Sequence, residues 1–154
     1  MDYKTTILKE KTVVGLTAHT SNTSPEMGKV IGSLWERFFA EGIFQNIANK
    51  SGNTTIGLYS NYSNHYQDYD ITIGCAVNAA ENLPNGTTVK TIPAGNYAEF
   101  VLTVEHGDYI TPVANLWEKL WQMPLERTFT GDFEEYYADE NGTCKEIHIF
   151  IAIR

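Results

Sequence analysis

Phe133-Glu134-Glu135-Tyr136-Tyr137 sets two carboxylates inside a run of aromatic residues. In a strand, side chains alternate between faces, so Glu134 and Tyr136 share one face while Phe133, Glu135 and Tyr137 share the other. One glutamate of the pair must point inward. A carboxylate at the floor of an aromatic-lined cleft is costly to keep ionised, so it either gains a proton or is matched by a cationic ligand. Ring faces favour the same ligand, because cation–π attraction contributes about 0.5–2 kcal/mol per well-placed ring. An ordinary amphipathic strand with a surface glutamate accounts for the same spacing, and spacing alone leaves both readings open.

Other familiar chemistry is missing. The chain has no Gly-rich phosphate loop after a strand, no GxSxG, no HExxH and no Cys/His pair in a usable arrangement. His19, His65 and His106 sit beside loops and turns, which suits solvated or structural roles. Cys75 and Cys144 each fall in a strand-like run without a CxxC, and read as buried thiols rather than a metal site or a disulfide. No cofactor and no metal are expected.

Composition narrows the partners. The 154 residues carry 11 Lys plus Arg against 19 Asp plus Glu, a formal charge of -8 that repels a phosphate backbone, and no basic patch is segregated. Direct nucleic-acid binding is not expected, whereas cations are attracted. The N-terminus enters an alternating strand without a basic and apolar leader, and no apolar run reaches membrane-spanning length, so a cytoplasmic protein is expected.

Two segments read alike and reveal the elements that must hold these residues. Leu34-Trp35-Glu36-Arg37-Phe38 recurs as Leu116-Trp117-Glu118-Lys119-Leu120, each within a helical pattern that has strand-like segments before it and two after it. The chain is long enough for one good core, which favours one domain over 1–154 built of pseudo-repeats at about 1–80 and 87–154. Strand regions run over 3–18 with a bend at Lys9-Glu10-Lys11, over 54–62 and over 69–77. The second half repeats them over 89–92, 97–104, 133–138 and 144–153. Ser24-Pro25 and Thr111-Pro112 mark two helix starts, and Asn82-Leu83-Pro84-Asn85-Gly86 marks the junction. Ile147, Ile149, Ile151 and Ile153 form the face beneath the helices, leaving His148 and Phe150 to the opposite face or to the seam between halves. The expected fold is α+β: duplicated βαββ modules, an antiparallel sheet of about eight strands, two helices and a central pocket.

The ordered series Ile56-Gly57-Leu58-Tyr59, Asp68-Tyr69-Asp70 with Ile73-Gly74, Ile92-Pro93-Ala94-Gly95-Asn96-Tyr97-Ala98, Trp117, Asp132-Phe133-Glu134-Glu135-Tyr136 and Glu146-Ile147-His148-Ile149 resembles the GyrI-like small-molecule-binding family. The same domain serves as the effector-binding domain of AraC-type and MerR-type multidrug-responsive regulators. The resemblance spans nearly the whole chain. It implies a central pocket for lipophilic, often cationic, compounds, with Glu134 meeting the ligand's charge. The last strand departs from the family, which often carries Tyr followed by Pro where this chain has His148 and Phe150. His106-Gly107 matches a family turn before the second helix. Regulators of the family carry a DNA-binding module that is not expected here, which implies a stand-alone binder.

The ligand-binding candidates are Glu134, Tyr136, Trp117, Trp121, Tyr97, Tyr59, Tyr69, Trp35, His148 and Phe150. Trp35 and Trp117, the duplicated pair, either face each other across the seam or serve as plain core, and Trp121 shares both readings. The strand tyrosines either touch ligand or pack on the sheet with their hydroxyls in water. Glu99 is a further possible anionic wall residue, with surface placement as its alternative, and Asp68 and Asp70 suit solvated or capping roles. The leading expectation is a non-enzymatic binder of hydrophobic, cationic small molecules. The alternatives are a hydrolase in which Glu134 activates water, partnered by Tyr136 or Tyr97, and a protein-interaction role such as modulation of DNA gyrase.

Overall fold

The charged step Lys9-Glu10 breaks the first extended region into β1 (Lys4–Leu8) and β2 (Lys11–Ser21), and Pro93-Ala94 breaks its counterpart into β5 (Thr88–Ile92) and β6 (Gly95–Thr103). These and the following details come from a computed structural model, which describes residues 2–105 and 107–154. His106 lies outside the described residues. Two helical stretches follow β2, α1 (Met27–Ala40) and the short α2 (Ile43–Asn46), and α3 (Ile110–Leu120) follows β6. Each half then closes with two strands, β3 (Thr55–Ser63) and β4 (Asp68–Val77) in the first, β7 (Asp132–Ala138) and β8 (Cys144–Ile153) in the second.

Three helices thus replace the two expected, because Gly42 (φ 70°) turns the chain by a left-handed step and lets Ile43 re-enter the core. The helix starts also shift. Ser24 forms a turn ahead of α1, its hydroxyl accepting the Glu26 N–H at 3.1 Å. Asp108 rather than Thr111 serves the start of α3, accepting the N–H groups of Ile110 and Thr111 at 3.1 and 3.3 Å, with Pro112 inside the first turn.

The strands form one antiparallel sheet in the order β1-β6-β8-β7-β3-β4-β2-β5. Exchanging the halves, β1 for β5, β2 for β6, β3 for β7 and β4 for β8, reverses that order and leaves it unchanged. The two halves meet at β3 and β7, where Gly57 pairs with Glu134 and Ile56 with Glu135. Each half also lends an edge strand to the other, β1 lying on β6 and β5 on β2. Gly15 and Gly74 pair across β2 and β4, and a Cβ on either would lie 2.1 to 2.2 Å from a facing carbonyl oxygen, so only glycine allows these backbones to approach.

Helices cover one face of the sheet. Leu34 and Phe38 of α1 pack on Ile71 and Ile73, and Leu116 and Leu120 of α3 pack on Ile147, Ile149 and Ile151. Each of these buried side chains contributes about 1.5–3 kcal/mol. The isoleucine stripe of β8 therefore faces the helices as its alternation indicates. The opposite face has its own apolar cluster, with Val13, Ile56, Leu58, Ile92, Tyr97, Phe133 and Phe150 at its centre. No helix among the described residues is long and apolar enough to cross a membrane.

Candidate ligand-binding site

The central strand β7 turns Asp132, Glu134 and Tyr136 to the helix-covered face. Glu134 is 4% exposed and sits where the two halves meet. Its register partner Gly57 has no side chain, and a Cβ there would lie 3.2 Å from Glu134 Oε1, so the glycine opens the space that the carboxyl occupies. Where the two halves pair, the seam therefore holds one acidic group opposite a residue that has no side chain.

Three aromatic donors converge on that group. Trp117, from α3, donates its indole N–H to Oε2 at 2.6 Å, and Tyr59, from β3, donates its hydroxyl to the same oxygen at 3.1 Å. Tyr136 donates to Oε1 at 2.6 Å. Trp35, from α1, meets the Tyr136 ring edge-on at 4.9 Å, so the duplicated tryptophans both reach the cluster. Tyr69 stands edge-on to Tyr59 at 5.2 Å, and Tyr109 abuts Tyr136 at 5.9 Å.

No basic side chain among the described residues forms an ion pair with Glu134. Burial pushes its carboxyl above the ordinary range, against the opposing pull of hydrogen bonds from Tyr136, Trp117 and Tyr59. The Tyr59 and Tyr136 hydroxyls are held well above their usual range by burial and by the neighbouring Glu134, and Tyr69 is pushed up to about 12 by the same causes. The phenols therefore stay protonated as donors. A carboxylate offers about four acceptor positions, and the three donors leave room for one further contact. The arrangement can hold a proton, or present a negative charge among ring faces.

Five of the other candidates gather around Glu134: Trp35, Tyr59, Tyr69, Trp117 and Tyr136. Four do not. Tyr97, His148 and Phe150 lie on the opposite face, because strand alternation puts Ile149 with Glu134 and reverses its neighbours. Tyr97 packs on Phe133 and Phe150 and donates its hydroxyl to the Pro93 carbonyl at 2.5 Å. His148 lies between Glu99, at 2.6 Å from Nδ1, and Glu146, bonded to Nε2. Trp121 follows the last turn of α3, 53% exposed, beside a cavity of about 520 Å³ also lined by Met123, Arg127 and Phe129.

Two carboxylates differ from their sequence-based roles. Glu99 is buried rather than on the surface, held on the far face by His148 and Lys4. Asp70 is paired rather than merely solvated, with Lys90 at 3.0 Å and His19 at 2.9 Å. A second cavity, about 600 Å³, opens on the far face beside Glu135, which accepts hydroxyls from Thr54 and Tyr137. Sequence reasoning missed Gly57 and Tyr109 as parts of the site. Gly57 carried a signal, since a glycine inside a strand marks a close approach; Tyr109 precedes its helix with no distinguishing pattern.

Comparison with known proteins relates the whole chain to a family of known fold. YobU of Bacillus subtilis (strain 168), whose name assigns it provisionally to transcriptional regulation, is 29% identical over 158 residues, spanning 97% of this chain and 96% of its own length. The crystal structure of a Vibrio cholerae integron cassette protein superposes with a TM-score of 0.75 at 26% identity, covering 99% of this chain and 95% of that one. SAV2435, solved bound to tetraphenylphosphonium, shares the fold with a TM-score of 0.79 at 17% identity, over 100% of this chain and 94% of its own. These neighbours agree with the GyrI-like resemblance seen in the sequence. Residues 6–153 match the model of Cass2, described as an integron-associated effector binding protein, and the chain belongs to that family.

Proposed function

We propose that this protein binds hydrophobic, cationic small molecules between its two halves, with Glu134 meeting the charge and the surrounding rings holding the lipophilic body. Small-molecule binding in general follows from membership in an effector-binding family. One observation carries the finer reading. Glu134 is buried at the seam, coordinated only by neutral aromatic donors, with no basic side chain among the described residues to balance it. A site of that kind leaves the compensating charge to be supplied from outside. The faces of Trp35, Trp117 and Tyr136 add cation–π attraction of about 0.5–2 kcal/mol each when a cation lies against them.

The tetraphenylphosphonium bound to SAV2435, a lipophilic cation on the same fold, supports the same ligand chemistry. In this reading the protein binds and releases its ligand without turning it over. Titration of the purified protein with a panel of fluorescent lipophilic cations and uncharged dyes of matched shape tests it. Saturable binding of the cations, weakened in Glu134→Gln much more than binding of the neutral dyes, is expected. Equal losses for both sets would remove charge recognition from the proposal.

A further inference from the structure

Asn64, His65 and Tyr66, at the hairpin between β3 and β4, all hold positive φ, at 51°, 56° and 66°. Phe129, in the connection from α3 to β7, holds φ 56°. Bulky residues rarely adopt this conformation, and such strain persists where the surroundings impose it. The two segments belong to different halves, yet their rings meet flat. Tyr66 and Phe129 stack with centroids 3.8 Å apart and planes 7° from parallel. A face-to-face stack is not the arrangement rings prefer, so flanking contacts must hold it.

Two such contacts bear on Phe129. The Arg127 guanidinium lies 4.2 Å from the Phe129 centroid, and the Tyr62 ring meets Phe129 edge-on at 5.5 Å. Arg127 and Tyr62 both end on the fully buried Asp132, at 2.7 and 2.6 Å. From Tyr62 a row of rings leads inward: Tyr62 to Tyr69 at 6.0 Å, then Tyr69 to Tyr59 at 5.2 Å, whose hydroxyl reaches Glu134. The stacked pair stands at the outer end of an aromatic row that starts at the buried carboxyl.

The geometry assigns Tyr66 and Phe129 as a clasp between the two halves that limits how far the apolar arm of a ligand extends from Glu134. This rests on the reading of Glu134 as the charge-binding group. A compact cation is held at Glu134 with the clasp closed. A cation with a long arm along the tyrosine row must part the stack, and so binds less well than its added apolar surface would otherwise allow. Tyr66 is 53% exposed, so truncating it removes the outer ring without opening the core. Phe129→Gly removes the inner ring and also suits the backbone, since glycine adopts positive φ freely.

Alkyltriphenylphosphonium cations of increasing chain length, methyl to dodecyl, test the assignment on wild type, Tyr66→Ala, Phe129→Gly and Glu134→Gln. The expected result is an affinity that stops rising at intermediate chain length in wild type. The long-chain members should then gain about ten-fold in both clasp variants, the scale of two newly buried methylenes, while the methyl compound is unchanged. Hydrogen exchange without ligand should also accelerate about ten-fold over residues 127–131 in Tyr66→Ala. An unaltered chain-length profile in the clasp variants, with binding lost in Glu134→Gln, overturns the clasp and leaves Glu134 standing. A shifted profile with Glu134→Gln binding as wild type does the reverse. No binding by any of the four proteins overturns both, and unchanged exchange overturns the clasp whatever the ligands do.

Discussion

Exchanging Glu134 for Gln should change how the stability of the protein depends on pH. The carboxyl is 4% exposed and its pKa is raised above 4.5, by burial working against hydrogen bonds from Tyr136, Trp117 and Tyr59. Between the unfolded and folded values, the folded state binds more protons than the unfolded one. Stability is therefore fully retained below the unfolded value and falls as pH rises through the folded value, by at most about 1.4 kcal/mol per pH unit for one proton. Gln preserves the contacts: its carbonyl can accept from Trp117 and Tyr59, and its amide can donate to the Tyr136 oxygen. Glu134→Gln should thus lose this slope and be about 1 kcal/mol more stable than wild type at neutral pH. Leu at the same place strands three donors, each worth about 1–3 kcal/mol if fully buried; water reaching the half-buried rings keeps the total near 3 kcal/mol. Urea unfolding of the three proteins from about pH 4.5 to about pH 8 is the assay. Asp70 acts with opposite sign and outside this window. Burial raises its carboxyl, but hydrogen bonds from His19, Lys90 and Asn61 prevail and hold it below 3.8, so its contribution is lost only as pH falls through that lowered value. Superimposable pH profiles for wild type and Glu134→Gln would refute the argument from burial.

Gly57→Val should push branched methyl groups toward Glu134 Oε1, which is already 3.2 Å from the site of a Cβ, destabilising the fold by about 1–3 kcal/mol and abolishing ligand uptake; chemical unfolding and dye binding would register the two effects. Asp132→Ala should destabilise by about 3–5 kcal/mol, because it leaves Arg127 without its buried partner and the Ala152 N–H and Tyr62 hydroxyl without their acceptor, as a shift in unfolding midpoint would report. His148→Gln should leave affinity for a lipophilic cation within about two-fold of wild type, since the residue lies across the sheet from Glu134; a larger loss would place that face in the binding event.

Much of the fold was legible because its signals are periodic. Isoleucine on every second position of β8 identified the face beneath the helices, and the repeated Leu-Trp-Glu segments marked the duplication that appears in the sheet order. Local turn chemistry served less well at the helix starts, where Asp108 took the role expected of Thr111 through a loop geometry that spacing does not encode. At the site, alternation correctly united Glu134 with Tyr136, while Trp35, Trp117, Tyr59 and Tyr69 arrived there through packing between halves. Tyr97, His148 and Phe150 lie on the sheet face opposite Glu134, the placement that alternation had offered for His148 and Phe150 beside the seam. Gly57 shows the remaining limit: its role depends on which residue lies across the strand pair, and register is a property of the assembled sheet.

Calorimetric titration with tetraphenylphosphonium, in buffers of different ionisation enthalpy and across a range of pH, tests most directly whether Glu134 meets the ligand's charge. A cation bound against this carboxyl must favour its ionised form. Binding should therefore release protons most fully, up to one, at pH values between the carboxyl's lowered pKa in the complex and its raised pKa in the free protein, release progressively fewer outside that window, and release none in Glu134→Gln, which should also bind about ten-fold or more weakly. Binding of equal strength in the wild type and in Glu134→Gln, without proton release at any pH, would contradict the proposed role of Glu134.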